Sequence, residues 1–407
     1  MGSYLSAPIT EKETEKGVTS AAKFEWAVGS MQGWRKSQED AHIACDLPNN
    51  TAVFGVFDGH GGREVSNFVK TRFAPAVEAR PEFASDLGAT LRGAFHGMDE
   101  LLEDKSNLPV LQELKAVPTT LTQGGGAGGA AGGGGDGADG GGEGEGEGQR
   151  ERAVSVEEAV EVFQKLLTLK RMAANANAPG GAAAAGGGGA SGGEEDDSAQ
   201  AEAGPPAGGS PLQLLSGGGG RMCTLPPSHV EAGCTAVVAA VRDGVLTVAN
   251  AGDSRAVLCR GGEALPLSED HKPAQARELA RIEAAGGFVT PQGRVNGNLN
   301  LSRALGDLKY KGNTAVARAE QMITAEPDVK VVRLEASDEF LLLACDGVWD
   351  VMTSQQCVDF VRERIAKGMA LEEIVSEIFD ACISEDPKTT GGLGGDNMTA
   401  IIVRLKQ

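Results

Sequence analysis

The stretch Ala52-Val53-Phe54-Gly55-Val56-Phe57-Asp58-Gly59-His60-Gly61-Gly62 runs apolar, meets an acid, and breaks into a glycine-rich turn. An unbroken apolar run bounded by turn residues reads as a buried strand. Phe340-Leu341-Leu342-Leu343-Ala344-Cys345 repeats the pattern and ends in Asp346-Gly347. Both runs place an aspartate where a buried strand stops. Cys234 to Val241 and Val245 to Ala251 flank Asp243-Gly244, and an Asp-Gly pair between two apolar runs is a strong hairpin signal. Ser254 to Cys259 follows, and near the end Gly395-Asp396 leads into Asn397-Met398-Thr399-Ala400-Ile401-Ile402-Val403. These runs read as the stacked inner strands of a sandwich.

Apolar spacing predicts helices over Arg63 to Glu78, Ser85 to Asp104, Pro273 to Ala285, Ser354 to Ala366 and Leu371 to Cys382, with Ser354 placed as a cap and Pro273 as a first-turn residue. Strands inside and helices outside make a layered α+β domain. More than half of the 59 glycines lie between 121 and 220. Such a Gly, Ala and acid-rich segment buries too little apolar surface to offset the entropy of ordering it. The expected organisation is a flexible N-terminal segment 1–22, a first part of one domain at 23–120, a disordered insert at 121–220, and the second part at 221–407. Within the insert, Ser155-Val156-Glu157-Glu158 has capping-box form and leads into Val160, Phe163, Leu166 and Leu167, a short helix at 155–172.

The formal charge of −20 argues against nucleic acid or an anionic membrane as the main partner and leaves basic proteins open. Seven single cysteines without a CxxC pair suit a reducing compartment, and the expected location is cytoplasm, nucleus or both. No apolar stretch reaches the ~18 residues of a membrane span, and no signal peptide is expected. Met1-Gly2-Ser3-Tyr4-Leu5-Ser6 fits the N-myristoylation pattern at Gly2. One acyl chain without a polybasic patch gives only weak membrane contact.

Any one Asp-Gly pair is ordinarily a turn. Asp58, Asp346 and Asp396 differ in that each borders an apolar strand, and three carboxylates brought together would repel unless hard divalent cations sat among them. Sequence spacing alone does not bring them together.

Several ordered motifs do so by resemblance. Met31-Gln32-Gly33-Trp34-Arg35-Lys36-Ser37-Gln38-Glu39-Asp40-Ala41-His42, Phe57-Asp58-Gly59-His60-Gly61-Gly62, Gly233-Cys234-Thr235-Ala236-Val237, Ala249-Asn250-Ala251-Gly252-Asp253-Ser254-Arg255, Asp270-His271-Lys272-Pro273, Leu301-Ser302-Arg303-Ala304-Leu305-Gly306-Asp307, Ala344-Cys345-Asp346-Gly347-Val348-Trp349-Asp350 and Gly395-Asp396-Asn397-Met398-Thr399 are similar to those of the type 2C, metal-dependent protein serine/threonine phosphatases. The resemblance covers the chain apart from the insert. It is closest to the gamma type, which also opens Met-Gly-x-Tyr-Leu-Ser and carries a long, more acidic insert at this place.

The resemblance implies an α-β-β-α sandwich, two antiparallel central sheets flanked by helices, and hydrolysis of phosphoserine and phosphothreonine in proteins by metal-activated hydroxide. It implies two magnesium or manganese ions: Asp58 bridging both, the Gly59 carbonyl on one, Asp346 and Asp396 on the other, Glu39 direct or through water, and Asp40 supporting. Asp253 and Asp350 would hold a weaker third ion. Arg35 is the expected phosphate clamp, since a guanidinium meets two phosphate oxygens in one plane, and His60 the expected general acid. His42 is a candidate to orient a carboxylate, and His271 has a structural place. The loop Val289 to Asn300 occupies the position of the family's substrate-facing flap. No cysteine has an arginine six positions later and no Gly-Lys-Ser/Thr loop is present, which disfavours a cysteine nucleophile and a P-loop hydrolase. Phosphorylated proteins are the expected substrates and a monomer the expected state. The rival readings are a silent scaffold with this fold and a hydrolase of small phosphomonoesters.

Overall fold

In the computed structural model, residues 4–20, 22–116 and 229–405 are described. All belong to one of the two units into which the chain divides, 1–135 with 224–407; the other unit, 136–223, lies outside them. Gly2 and the expected helix at 155–172 also lie outside the described residues. The elements are β1 (Ile9–Val18), β2 (Glu25–Gly33), β3 (Ala41–Leu47), β4 (Thr51–Phe57), β5 (Gly59–His60), α1 (Glu64–Glu78), α2 (Leu87–Glu103) and α3 (Leu108–Ala116). After the insert come β6 (Gly233–Cys234), β7 (Ala236–Arg242), β8 (Val245–Ala251), β9 (Arg255–Arg260), β10 (Glu263–Pro266), α4 (Ala276–Ala284), β11 (Leu305–Gly306), β12 (Asp328–Arg333) and β13 (Asp338–Ala344). The one-turn α5 (Asp346–Trp349), α6 (Ser354–Ala366), α7 (Leu371–Cys382) and β14 (Met398–Arg404) follow, the last helices and strand among the described residues.

The strands form a six-stranded sheet, β1-β2-β14-β13-β9-β10, and a five-stranded sheet, β12-β8-β7-β4-β3, with every pair antiparallel. A small third sheet has the order β11-β6-β5. Side-chain alternation explains the unbroken apolar runs. Along β4, Phe54 and Val56 face the core shared with Leu341, Leu343, Ile401 and Val403 of the other sheet, while Val53 and Phe57 face Phe68, Phe73 and Phe95 of α1 and α2. Helix α7 covers β1, β2 and β14 from the opposite side. The expected α-β-β-α sandwich is therefore the observed one. The β7–β8 hairpin turns at Asp243 and Gly244, both with positive φ (50° and 74°), the backbone that a two-residue type I′ turn requires.

Three expectations change. The segment 1–22, expected to be flexible, contains β1, an edge strand whose Lys12 and Lys16 pair with Asp380 and Glu372 on α7. The cap of α6 is Thr353 rather than Ser354: Thr353 Oγ1 accepts from the Gln356 N–H (3.3 Å) and Gln356 Oε1 accepts from the Thr353 N–H (3.0 Å), a reciprocal capping box. Pro273 sits outside α4, because the Gln275 N–H closes a turn on the Lys272 carbonyl (3.0 Å) and the helix starts at Ala276.

Candidate metal centre and active site

Strand register gathers the acids. Asp58 follows the last residue of β4, and Phe57 stands opposite Ala41, so Glu39 and Asp40 lie beside it. Asp346 opens α5 just after β13, and Ala344 stands opposite Ala400, so the approach to β14, with Asp396, lies at the same end. Met398 stands opposite Met31, which brings Arg35, just past β2, to Asp396; Arg35 Nη2 donates to Asp396 Oδ2. Ala344 also faces Arg255 across β13 and β9, placing Asp253 next to Asp346. All the acids thus collect at one end of the sandwich, drawn from both sheets.

Their electrostatics follow from that crowding. The Asp58 carboxyl is held well above the usual carboxylate range by burial and then by Asp346, Asp40 and Asp396. Asp346 is raised likewise, by burial and then by Asp253, Asp396 and Asp350, against the opposing charge of Lys272. Asp40 is pushed up to about 7 by burial, even though Thr399 Oγ1 donates to its Oδ2 (2.7 Å). Asp40 Oδ1 is buried without a hydrogen-bond partner. A partnerless buried carboxylate oxygen among like charges fits a cation. Burial raises Asp350 too, while Asp253 Oδ2 accepts from Lys272 Nζ.

One oxygen from each of Asp40 and Asp58 and the Cys345 sulfur lie within 4.8 Å of one another. The thiol is an unsuitable ligand here: burial pushes it well up, and its Sγ accepts from the Thr399 N–H (3.1 Å). Hard cations take the oxygens instead. Glu39 is tethered at both oxygens, Oε1 by Ser37 Oγ (2.7 Å) and Oε2 by the Gly62 N–H (3.1 Å).

His60 Nε2 meets Asp307 Oδ2 at 2.6 Å. Burial alone would lower the imidazole pKa, but the Asp307 charge and hydrogen bond outweigh it and raise it. His42 pairs with Glu15 on β1 (3.4 Å), an acid outside this cluster. His271 Nδ1 accepts from the Gly252 N–H (3.1 Å) and Nε2 meets Asp328 (3.2 Å), a buried structural place. In the expected flap, Val295 bridges both Val289 and Leu299.

Sequence reasoning did not single out Asn397, Thr399, Lys272 or Asp307. Asn397 Nδ2 donates to the carbonyls of Gln32 (2.8 Å) and Ser37 (2.9 Å), and its Oδ1 accepts from the Glu39 N–H (3.0 Å), which fixes the loop bearing Arg35 and Glu39. The available signal was polarity: Thr399 is a hydroxyl within the otherwise apolar run Met398 to Val403, and it is fully buried.

The protein phosphatase 2C family model matches residues 24–117 and 223–390. The chain is 37% identical to the probable protein phosphatase 2C 11 of Oryza sativa subsp. japonica, over all of this chain and 91% of that protein. The probable protein phosphatase 2C 60 of Arabidopsis thaliana is also 37% identical, over all of this chain and 92% of that protein. A solved phosphatase from Toxoplasma gondii shares the fold with a TM-score of 0.57 at 21% identity, covering 97% of this chain and 96% of that one. With that sandwich and these motifs, the chain belongs to the protein phosphatase 2C family, the metal-dependent hydrolases of phosphoserine and phosphothreonine in proteins.

Proposed function

We propose that the acids at the end of the sandwich hold two magnesium or manganese ions: Asp58 as the bridge, the Gly59 carbonyl with it, Asp346 and Asp396 on one ion, and Glu39 on the other directly or through water. The observation that carries this is the convergence of Asp58, Asp346 and Asp40 with carboxyls raised by burial and mutual repulsion. Asp40 supports the ligands, and Asp253 and Asp350 hold a weaker third ion. Bound there, a metal pair would lower the pKa of a shared water and supply hydroxide for in-line attack at phosphorus.

The protein's own residues do the rest. Arg35 receives the phosphate; its guanidinium already lies against Asp396, so the substrate oxygens arrive beside the ligands. His60 protonates the departing serine or threonine oxygen, supported by its partial exposure and its bond to Asp307. Similarity to the Caenorhabditis elegans protein phosphatase ppm-1.G, 38% identical over 98% of each chain, supports a gamma-type assignment. The net charge of −20 favours basic protein partners over nucleic acid. The enzyme acts as a monomer in cytoplasm or nucleus, touching membranes weakly if Gly2 is acylated.

The test is phosphopeptide dephosphorylation with manganese or magnesium added and then chelated, comparing wild type with Asp346→Ala. Turnover that requires the metal and collapses in the variant upholds the assignment. Metal-dependent turnover that survives Asp346→Ala, in a protein that remains folded, overturns it.

A further inference from the structure

The bond between His60 and Asp307 crosses a strand. His60 on β5 stands opposite Gly233 on β6, and Gly233 stands opposite Gly306 on β11, so β6 separates the histidine from the aspartate that follows β11. Asp307 Oδ2 nevertheless reaches His60 Nε2 at 2.6 Å. The middle strand permits this because it carries no side chain there: a Cβ on Gly233 would stand 2.4 Å from Asp307 Oδ2 and 2.7 Å from His60 Nε2. Such approaches are far inside van der Waals contact, so any larger residue would displace one partner.

The aspartate is held for the task. Its backbone is left-handed (φ 50°), its N–H donates to the Ala232 carbonyl (3.0 Å), and its own carbonyl accepts from the Tyr310 N–H (2.9 Å). One residue earlier, the Gly306 N–H donates to Asp99 Oδ1 on α2 (2.9 Å), and Lys311 Nζ, close to Asp99 Oδ2 (2.6 Å), ties down the same turn. The Asp307 side chain is 1% exposed, whereas that of His60 is 26% exposed. The ring is therefore anchored through Nε2 on a buried carboxylate, while the side chain as a whole keeps some contact with solvent.

We infer that Asp307, reaching over Gly233, is the positioning residue for His60, holding the ring by Nε2 so that Nδ1 is the nitrogen that meets the leaving oxygen. This rests on the reading of His60 as general acid. As the water oxygen bonds to phosphorus, the bond from phosphorus to the serine or threonine oxygen breaks and its electron pair stays on that oxygen. The oxygen takes the proton from Nδ1, and the neutral ring keeps its Nε2–H on Asp307. Deletion of the anchor lets the ring rotate and costs proton delivery, not phosphate binding.

The experiment separates substrates by leaving group. An alkoxide needs the proton, whereas p-nitrophenolate leaves largely without it. For Asp307→Asn, kcat on a phosphothreonine peptide should fall about 10- to 100-fold, a part of what general acid catalysis supplies, with KM little changed. On p-nitrophenyl phosphate the loss should stay under about threefold by the same reasoning. Asparagine tolerates the left-handed backbone, so the variant should fold. Gly233→Ala should reproduce the selective loss through a different atom, and His60→Ala should show it in larger measure. Unfolding temperatures of all three establish that folded proteins are compared. Equal losses on both substrates in Asp307→Asn, or no loss, would overturn the inference while a selective His60→Ala leaves the role of His60 standing. A His60→Ala variant without selectivity would sink both.

Discussion

Replacement of Glu278 by glutamine should destabilise this protein by about 3 kcal/mol at neutral pH, as its pKa displacement shows when converted at ~1.36 kcal/mol per unit. Glu278 on α4 is 1% exposed and receives Arg303 Nη2 (2.7 Å), Arg303 Nε, Arg281 Nη1 and Ser302 Oγ (2.7 Å). Burial alone would raise its carboxyl, but the Arg303 hydrogen bonds, Arg281 and Ser302 hold it down at about 2 against an ordinary 4.5. An independent route gives the same size, since removal of one partner from a buried ion pair costs ~3–5 kcal/mol. Glutamine leaves the buried Arg281 guanidinium without its carboxylate partner and leaves Arg303 with Asp328 alone (3.0 Å). For a domain this large, ~2–4 °C per kcal/mol makes the expected fall in unfolding temperature roughly 6–12 °C. The sign with pH follows from a depressed pKa: the stabilisation is complete above the unfolded value near 4.5 and is lost as pH falls toward 2. Thermal unfolding by circular dichroism, at low protein concentration because the pI is near 4.8, should show a gap between the two proteins that is constant from pH 7 to 5 and narrows below. A variant that melts within 2 °C of wild type at pH 7, or a gap that persists unchanged at pH 3, would refute the reasoning.

Arg35→Ala should lower kcat/KM for a phosphopeptide by roughly 10- to 150-fold, the worth of hydrogen bonds to a charged group, and Arg35→Lys should recover only part because the planar fork is lost; steady-state kinetics at saturating magnesium decides. Phe73→Ala should cost about 3–5 kcal/mol in urea unfolding, because Phe73 is fully buried between Phe57 (5.8 Å between ring centres) and Phe95 (5.5 Å); a loss under 1 kcal/mol would mean that α1 is not the lid of that core.

The positions of Asp58 and Asp346 were legible because an apolar strand that stops at an acid is a local pattern. Their convergence was not, because it depends on register within each sheet and on how the two sheets stack: Phe57 stands opposite Ala41 in one, and in the other Ala344 stands opposite both Ala400 and Arg255, which are far from it in the chain. The inner strands were readable because burial on both faces leaves an apolar run. Strand β1 was not, because Ile9–Val18 is mostly exposed and rich in Lys and Glu, the composition that keeps an edge strand from recruiting another chain. Asp307 sat in view inside a quoted motif, yet its partner depends on two-residue strands too short to leave a periodic pattern.

The same crowding that marks the site sets protons against metal ions. Asp58, Asp346 and Asp40 all have raised carboxyls in the folded chain, so between the ordinary carboxylate range and those raised values the metal-free protein carries protons that its unfolded chain has released. Metal binding must expel them, and its apparent affinity therefore rises with pH until the raised pKa values are passed. For Asp40, at about 7, that competition amounts to roughly a tenfold change in affinity between pH 6 and pH 8. Calorimetric titration of magnesium into the chelator-stripped protein at the two pH values, in buffers of different ionisation enthalpy, should show tighter binding at pH 8 and proton release at pH 6. Asp40→Asn should weaken the dependence by the part that Asp40 contributes, leaving the part due to Asp58 and Asp346. An affinity that is level from pH 6 to 8, with no protons released, would mean that the carboxyls are already ionised in the free protein and that the acids at the end of the sandwich are less crowded than their register requires.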